Sequence, residues 1–382
     1  MAESVLVTGG AGFIGSHLVD ALLARDHTVR VFDNLEPQVH GPLAEQGRWP
    51  AYANAGAQYI LGDVRDRDAL AQALEGIDVV YHLAAATGVG QSMYRIAQYV
   101  EVNVQGTANL LDALANARNR PRRVVLASSR AIYGEGAYRC ASCGIVHPPV
   151  RSPAQLDAGQ WEPPCPRCGG PIAAVPTPES LPPDPGSIYG VTKLAQEQLC
   201  LCTGRAYGLG VTALRFFNVY GPRQSRSNPY TGILTAFLGR LAAGEAPEVY
   251  EDGLMTRDFV HVSDIVRALI AAAGPGPETV GAFNIGSGRA ASILELAGLL
   301  CRSREPAVRP HVSGAARVGD IRHCTADNGA AQSALGYAPV VGLAAGLAAL
   351  AALASPTAPG AGHPAADLMG ARRELAQAGL LR

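Results

Sequence analysis

The chain has 382 residues, 16% of them charged, with 31 Lys and Arg against 32 Asp and Glu. That length holds one large α/β unit and a smaller lobe, and the near-zero net charge excludes the electrostatic footprint of a protein that tracks nucleic acid or anionic lipid. No basic leader with an apolar core opens the sequence, and its longest apolar stretch, 340–353, is too short and glycine-interrupted to span a bilayer. A soluble cytoplasmic protein is expected, with no membrane and no nucleic-acid partner.

Ser4–Thr8 is a short apolar run ended by Gly9-Gly-Ala-Gly12-Phe13-Ile14-Gly15, and a helical pattern follows through Leu18, Leu22 and Leu23. Strand, glycine turn and helix in this order let the backbone approach a pyrophosphate and aim free N–H groups at it. The next strand pattern, 28–32, leads to Asp33, at the spacing of a carboxylate that bonds an adenosine ribose hydroxyl and repels a 2′-phosphate. NAD is favoured over NADP. Residues 59–61 lead into Asp63 and Val64, read as adenine contacts, and 79–83 lead into Ala84, Ala85 and Ala86, small enough to let a cofactor lie close. Residues 124–127 lead into Ser128 and Ser129, whose position at a strand end suits a hydrogen bond to a substrate oxygen. Strands alternating with helices predict an α/β fold built on a doubly wound parallel Rossmann sheet, with its site at the strand C-termini. His82 lies inside this packed region and is read as structural.

Cys140-x-x-Cys143-Gly and Cys165-x-x-Cys168-Gly form a pattern suited to a structural zinc with four thiolates. A closed site of four cysteines leaves no position for water, so its expected role is in folding. This zinc-ribbon-like insertion, 136–178, lies between Ser129 and Tyr189 and is expected to brace a lid or a subunit contact near the site. Cys200, Cys202, Cys301 and Cys324 lack such spacing and read as small core residues.

After the proline-rich segment 182–185, Ser187-Ile-Tyr189-Gly-Val-Thr-Lys193 opens an amphipathic run. The i, i+4 spacing puts the Tyr189 phenol and the Lys193 ammonium on one helix face, where the cation favours the phenolate as a base. Taken together and in order, the motif at 8–15, Ser128-Ser129 before Tyr133-Gly134, and Tyr189-x-x-x-Lys193 resemble the extended short-chain dehydrogenase/reductase superfamily, and within it the nucleotide-sugar epimerases and dehydratases. The segments 221–232 and 319–324, with the cysteine insertion, resemble a subgroup labelled dTDP-L-rhamnose 4-epimerase-like.

The resemblance implies an NAD site that also includes Asn34, Leu83, Asn103 and Phe217. It implies a nucleoside-diphosphate-sugar site containing Thr87, Ser129, Asn218, Arg223, Arg257 and Arg317, with the planar arginine forks suited to diphosphate oxygens. Read alone, each arginine is a solvated surface charge. Asp258 and His261 are read as structural. The implied chemistry is transient oxidation of a sugar hydroxyl, with Tyr189 as base, Lys193 supporting it and Ser129 binding the reacting oxygen. Related dehydratases carry an Asp-Glu pair after the serine, where this chain has Arg130-Ala131. That difference favours C4 epimerisation over 4,6-dehydration, with reduction, C2 inversion and a non-enzymatic NAD or zinc scaffold as the competing readings. A homodimer is expected. The expected division is an NAD-binding domain over 1–215, a substrate lobe with returning Rossmann elements over 216–354, and a flexible linker and C-terminal helix over 355–382.

Overall fold

The computed structural model describes residues 2–41, 46–225, 228, 232–274, 280–302, 308–353 and 364–381. In chain order its first strands are β1 (Ser4–Thr8), β2 (Thr28–Asp33), β3 (Gln58–Leu61), β4 (Val79–His82) and β5 (Arg123–Ser129). Three short strands of the insertion follow, β6 (Tyr138–Cys140), β7 (Gly144–Val146) and β8 (Ile172–Ala174), and then β9 (Gly210–Phe216). The remainder are β10 (Asn218–Tyr220), β11 (Glu248–Val249), β12 (Thr256–His261), β13 (Val280–Ile285), β14 (Ala290–Ser292), β15 (His311–Val312) and β16 (His323–Cys324).

Seven of these form one parallel sheet in the order β13-β9-β5-β4-β1-β2-β3. Every residue of β5 and β9 is buried, as required of parallel strands covered on both faces, and their apolar residues, such as Val124–Ala127, do not alternate with exposed polar ones. Alternate residues serve opposite layers. Val5, Val7, Val125 and Ala127 pack against the helices Phe13–Leu23 and Val262–Ala272. Leu6, Val124 and Leu126 pack against the helices Arg67–Ala73, Gly106–Asn116 and Ile188–Tyr207. The strand order reverses between β1 and β4, which opens the crevice where ligands bind in such sheets. The fold is the doubly wound Rossmann sheet expected from the sequence.

The chain after β9 builds a second lobe and also returns to the first. β10, β12, β14 and β16 form a small mixed sheet, and β11 pairs with β15, while β13 closes one edge of the central sheet. A separate core of Phe237, Leu241, Phe259, Leu296, Leu300 and Leu347 fills this lobe. The expected linker, 356–364, lies outside the described residues except for Pro364, and the helix expected after it is present as Pro364–Gln377. Cys200, Cys301 and Cys324 are buried as expected, whereas Cys202 faces outward on its helix and is exposed. Among the described residues no helix is long and apolar enough to cross a membrane.

The helix Ile188–Tyr207 starts at Ser187, whose Oγ accepts from the Gly190 N–H, and stops at left-handed Gly208. It is fastened to the sheet by a buried ion pair. The Glu197 carboxylate accepts from Arg215 of β9 at 2.6 Å and from Ser128 of β5 at 2.7 Å. Arg215 also donates to the Tyr133 hydroxyl, which in turn donates to Asn284 of β13. A buried pair loses most when only one partner is removed, because the other charge is stranded. Glu197→Ala should therefore cost about 3–5 kcal/mol in denaturant unfolding; a loss below about 1 kcal/mol would mean that water or a neighbour replaces the carboxylate.

Candidate active site

The glycine turn between β1 and its helix is shaped by close backbone contact. Gly9 has φ +71°, and a Cβ there would lie 2.7 Å from the Ala84 nitrogen at the end of β4. A Cβ on Gly15 would lie 2.2 Å from the Gly9 carbonyl oxygen. The helix that follows is N-capped by Gly12 without a side-chain hydrogen bond, so no side chain competes with an anion for its first N–H groups. Asp33, at the end of β2, is held by the N–H groups of Ala11 and Leu35. These features border one cavity of about 940 Å³, lined also by Phe13, Ile14, Asn34, Val64, Leu83, Ala84, Ala85 and Thr87. The donor set suits a dinucleotide: free helix N–H groups for the pyrophosphate, a carboxylate for a ribose diol and a small-residue floor.

Tyr189, Lys193 and Ser129 line the same cavity. Lys193 Nζ lies 5.9 Å from the Tyr189 ring centre and donates to the Ala127 carbonyl at 3.0 Å. Burial pushes the Tyr189 phenol above the ordinary tyrosine value, while the Ser129 side chain and the Arg130 charge oppose that rise. Burial drives Lys193 down to about 7, since the ammonium is 3% exposed. Ser129 and Arg130 thus act on the phenol in the sense expected of Lys193. The Tyr189 N–H donates to Ser92 Oγ, which seats the start of the helix against residues 89–92.

Arg257, Arg317, Phe217 and Asn218 line the part of the cavity formed by the second lobe. Arg257 is oriented by the carbonyls of Ile321 and Arg322, and burial lowers it to about 10. Asn218 Oδ1 is buried with no hydrogen-bond partner among the described residues, as expected of an atom reserved for a ligand. Arg317 Nε is 3.3 Å from Asp320, near enough for an ion pair but without hydrogen-bond geometry.

Three expected site residues do not line the cavity. Asp63 is bound by Arg65 and Asn34, and its carboxyl is lowered to about 2, chiefly by the Arg65 hydrogen bond. Asn103 clasps both backbone polar groups of Ala86 and donates to Thr192, joining the floor to the Tyr189 helix. Arg223 pairs with Asp20 at 2.8 Å and stacks over Tyr52 at 5.2 Å. Asp63 follows a strand, Asn103 sits on the helical segment Val100–Gln105 and Arg223 in a loop, and each is held by these local partners.

His82 bonds Thr8 and Thr107 and is held neutral by burial, at about 3. Asp258 accepts from Ser287, Gly288 and Ala326, and His261 caps its helix. None of the three lines the cavity.

In the insertion, β6 pairs with β7 and β8, and the four sulfurs of Cys140, Cys143, Cys165 and Cys168 lie within 4.8 Å of one another. The Cys140 and Cys168 sulfurs are 3.6 Å apart. A tetrahedral zinc with Zn–S near 2.3 Å sets its sulfurs about 3.8 Å apart, so the set fits that ion. Gly144 and Gly169, each following a cysteine pair, have φ +74° and +73°, a turn that a β-carbon would strain.

Sequence reasoning missed what ties this ribbon down. Arg151, fully buried, donates twice to Glu251 at 2.9 Å and once to the Asp320 carbonyl. Arg322 joins Glu251, Asp252 and Glu162, and Glu135 accepts from the Arg322 N–H and from Tyr138 of β6. The insertion therefore grips residues 320–323, whose carbonyls orient Arg257. No local motif signals this network, because its members are far apart in the chain. Glu197 had a signal: Tyr189, Lys193, Gln196 and Glu197 recur at helical spacing as one polar face.

Residues 5–151 and 168–286 match the NAD dependent epimerase/dehydratase family. The chain is 39% identical over 339 residues to dTDP-L-rhamnose 4-epimerase of Burkholderia thailandensis, covering 88% of this chain and 91% of that protein. Its fold is similar to that of UDP-glucuronic acid 4-epimerase from Bacillus cereus in complex with UDP-glucuronic acid and NAD, at 29% identity and TM-score 0.74, covering 92% and 98% of the two chains. It is equally similar to UDP-glucose 4-epimerase from Thermotoga maritima with UDP-glucose, at 29% identity and TM-score 0.74, covering 91% and 97%. With the glycine turn, Asp33 and the Tyr189–Lys193–Ser129 group converging on one cavity, the chain belongs to the NAD dependent epimerase/dehydratase family.

Proposed function

We propose that this protein is an NAD-dependent epimerase that inverts C4 of a nucleoside-diphosphate hexose or 6-deoxyhexose. The observation that carries the reading is that Tyr189, Lys193 and Ser129 share one cavity with the glycine turn and Asp33 at one side and Arg257 and Arg317 at another. Gly9, Gly12, Gly15, Asp33 and Lys193 would hold NAD, which when bound accepts and returns a hydride. Tyr189 takes the proton of the C4 hydroxyl and gives it back after the keto-sugar presents its opposite face. Ser129 donates to the reacting oxygen, and Arg257 and Arg317 keep the diphosphate anchored while the sugar turns. The turn after Ser129 holds Arg130 and Ala131 rather than carboxylates, so the acid–base pair that water loss requires has no counterpart there. The 4-epimerases among the similar proteins support the same reaction.

We also infer a structural zinc on Cys140, Cys143, Cys165 and Cys168. Four thiolates fill its coordination, so its role is to hold the ribbon that grips residues 320–323 behind Arg257. The brace thus acts on the substrate lobe.

Incubated with several nucleotide sugars and catalytic NAD, the protein should interconvert one C4 pair by NMR with no net nicotinamide reduction, and Tyr189→Phe should lose orders of magnitude in rate, at least about 10². Stoichiometric NADH formation, or near-wild-type turnover by the variant, would refute the reading. Ser129→Ala removes a side chain that lowers the Tyr189 phenol, so the acid limb of kcat/KM should move to higher pH; an unmoved limb rules out Ser129 as the tuning group. Metal analysis should find one zinc per chain, and chelation should lower the melting temperature and raise KM. Unchanged stability, turnover and oligomeric state after chelation would remove the bracing role.

A further inference from the structure

The helix Pro364–Gln377 lies beyond the residues that match the family, yet it borders the cavity. Ala371 and Leu375 are buried, and both line the cavity together with Arg372. Leu375 packs over Gly90, where an added Cβ would lie 3.2 Å from the leucine and 3.7 Å from Arg317 Nη1. The Tyr94 hydroxyl donates to Glu374 at 2.6 Å, which fixes the helix to the first lobe. Arg372 donates to Glu248 at 2.6 Å, which fixes it to the second. Beyond the helix, the Val318 N–H donates to the Leu380 carbonyl, and Arg317 and Leu381 form an antiparallel bridge. The C-terminal segment thus crosses the cleft and contacts both rims.

Which part of a ligand lies under it follows from the proposed reaction, on which this step rests. The reacting sugar carbon sits at Tyr189 and Ser129, and the diphosphate sits at Arg257 and Arg317. The nucleoside is then left the remaining end of the cavity, lined by Phe237, Arg240, Glu248 and Tyr250. Tyr250 there lies in the combined field of Arg317, Glu248 and Arg372. Glu248 receives Arg240 as well as Arg372, so two guanidiniums share one carboxylate and keep donor capacity for an anionic or carbonyl-bearing ligand.

We propose that the C-terminal helix is a wall of the nucleotide subsite, with Arg372 and Leu375 as specificity-determining residues for the nucleoside diphosphate. Leu375 closes the apolar side over Gly90, and Arg372 supplies a cation from outside the family-matched region. Neither touches Tyr189, so the helix governs binding and leaves the chemical step alone.

The test is calorimetric titration of the NAD-loaded protein with UDP and with dTDP, on the full chain, a chain ending at residue 353, Arg372→Ala and Arg372→Lys. The shortened chain should keep its circular dichroism and its NAD while nucleotide affinity falls about tenfold or more, with Arg372→Ala losing at least about threefold and Arg372→Lys recovering part of it. If the shortened chain misfolds, Arg372→Ala decides alone. Affinity within about threefold of the full chain in the folded variants overturns the assignment, as does a full chain that binds neither nucleotide. A full chain that binds one of them, loses it on shortening and inverts no sugar would defeat the epimerase reading and leave the helix assignment standing.

Discussion

The buried Glu197–Arg215 pair is the interaction on which the site depends. Tyr189 and Lys193 face Ser129 only because their helix is held at one rotation and height against β5 and β9. Apolar packing by Cys200 and Leu201 would tolerate sliding, since dispersion contacts are non-directional. A carboxylate that must accept from Arg215 and Ser128 together tolerates little. Asn103 adds a second fixing point through Thr192, one turn from Tyr189. Polar groups behind the cavity thus set the precision of those that line it.

The charge balance of the site follows from burial. Lys193 gives up solvent with only a carbonyl for a partner, which lowers its proton affinity to about 7. Tyr189 is pushed the other way by the same desolvation. Two neighbouring groups with opposed shifts are characteristic of acid–base sites, where stability is given up for reactivity. The cost is carried by the paired charges behind them.

A second set of paired charges serves the other end of the cavity. Arg151, Glu251, Arg322 and Glu135 link the cysteine ribbon to the strand segment that orients Arg257. The two networks have the same logic: each lies one layer behind a ligand-facing residue and removes its freedom to move. The C-terminal helix completes the enclosure from outside, fastened to both rims by single charged contacts.

The cofactor half was legible because its determinants are local. Gly9, Gly15, Asp33, Tyr189 and Lys193 lie at spacings fixed by strand, turn and helix geometry, so sequence order carries most of their arrangement. The four cysteines were legible for the same reason. The partners of Asp63 and Arg223 were not legible in this way: Arg65 is adjacent in the chain, but Asp20 is distant, and neither pairing follows from a motif. The grip of Arg151 on Glu251, 100 residues away, and the crossing of the cleft by Arg372 to Glu248, 124 residues away, have no local pattern. The sequence by itself determined the Rossmann sheet, the glycine turn with Asp33 and the helix that carries Tyr189 and Lys193, because those follow from short-range periodicity and turn chemistry. Only the tertiary structure decided what braces Arg257 and what covers the cavity, because those contacts join segments whose separation in the chain says nothing about their distance in space.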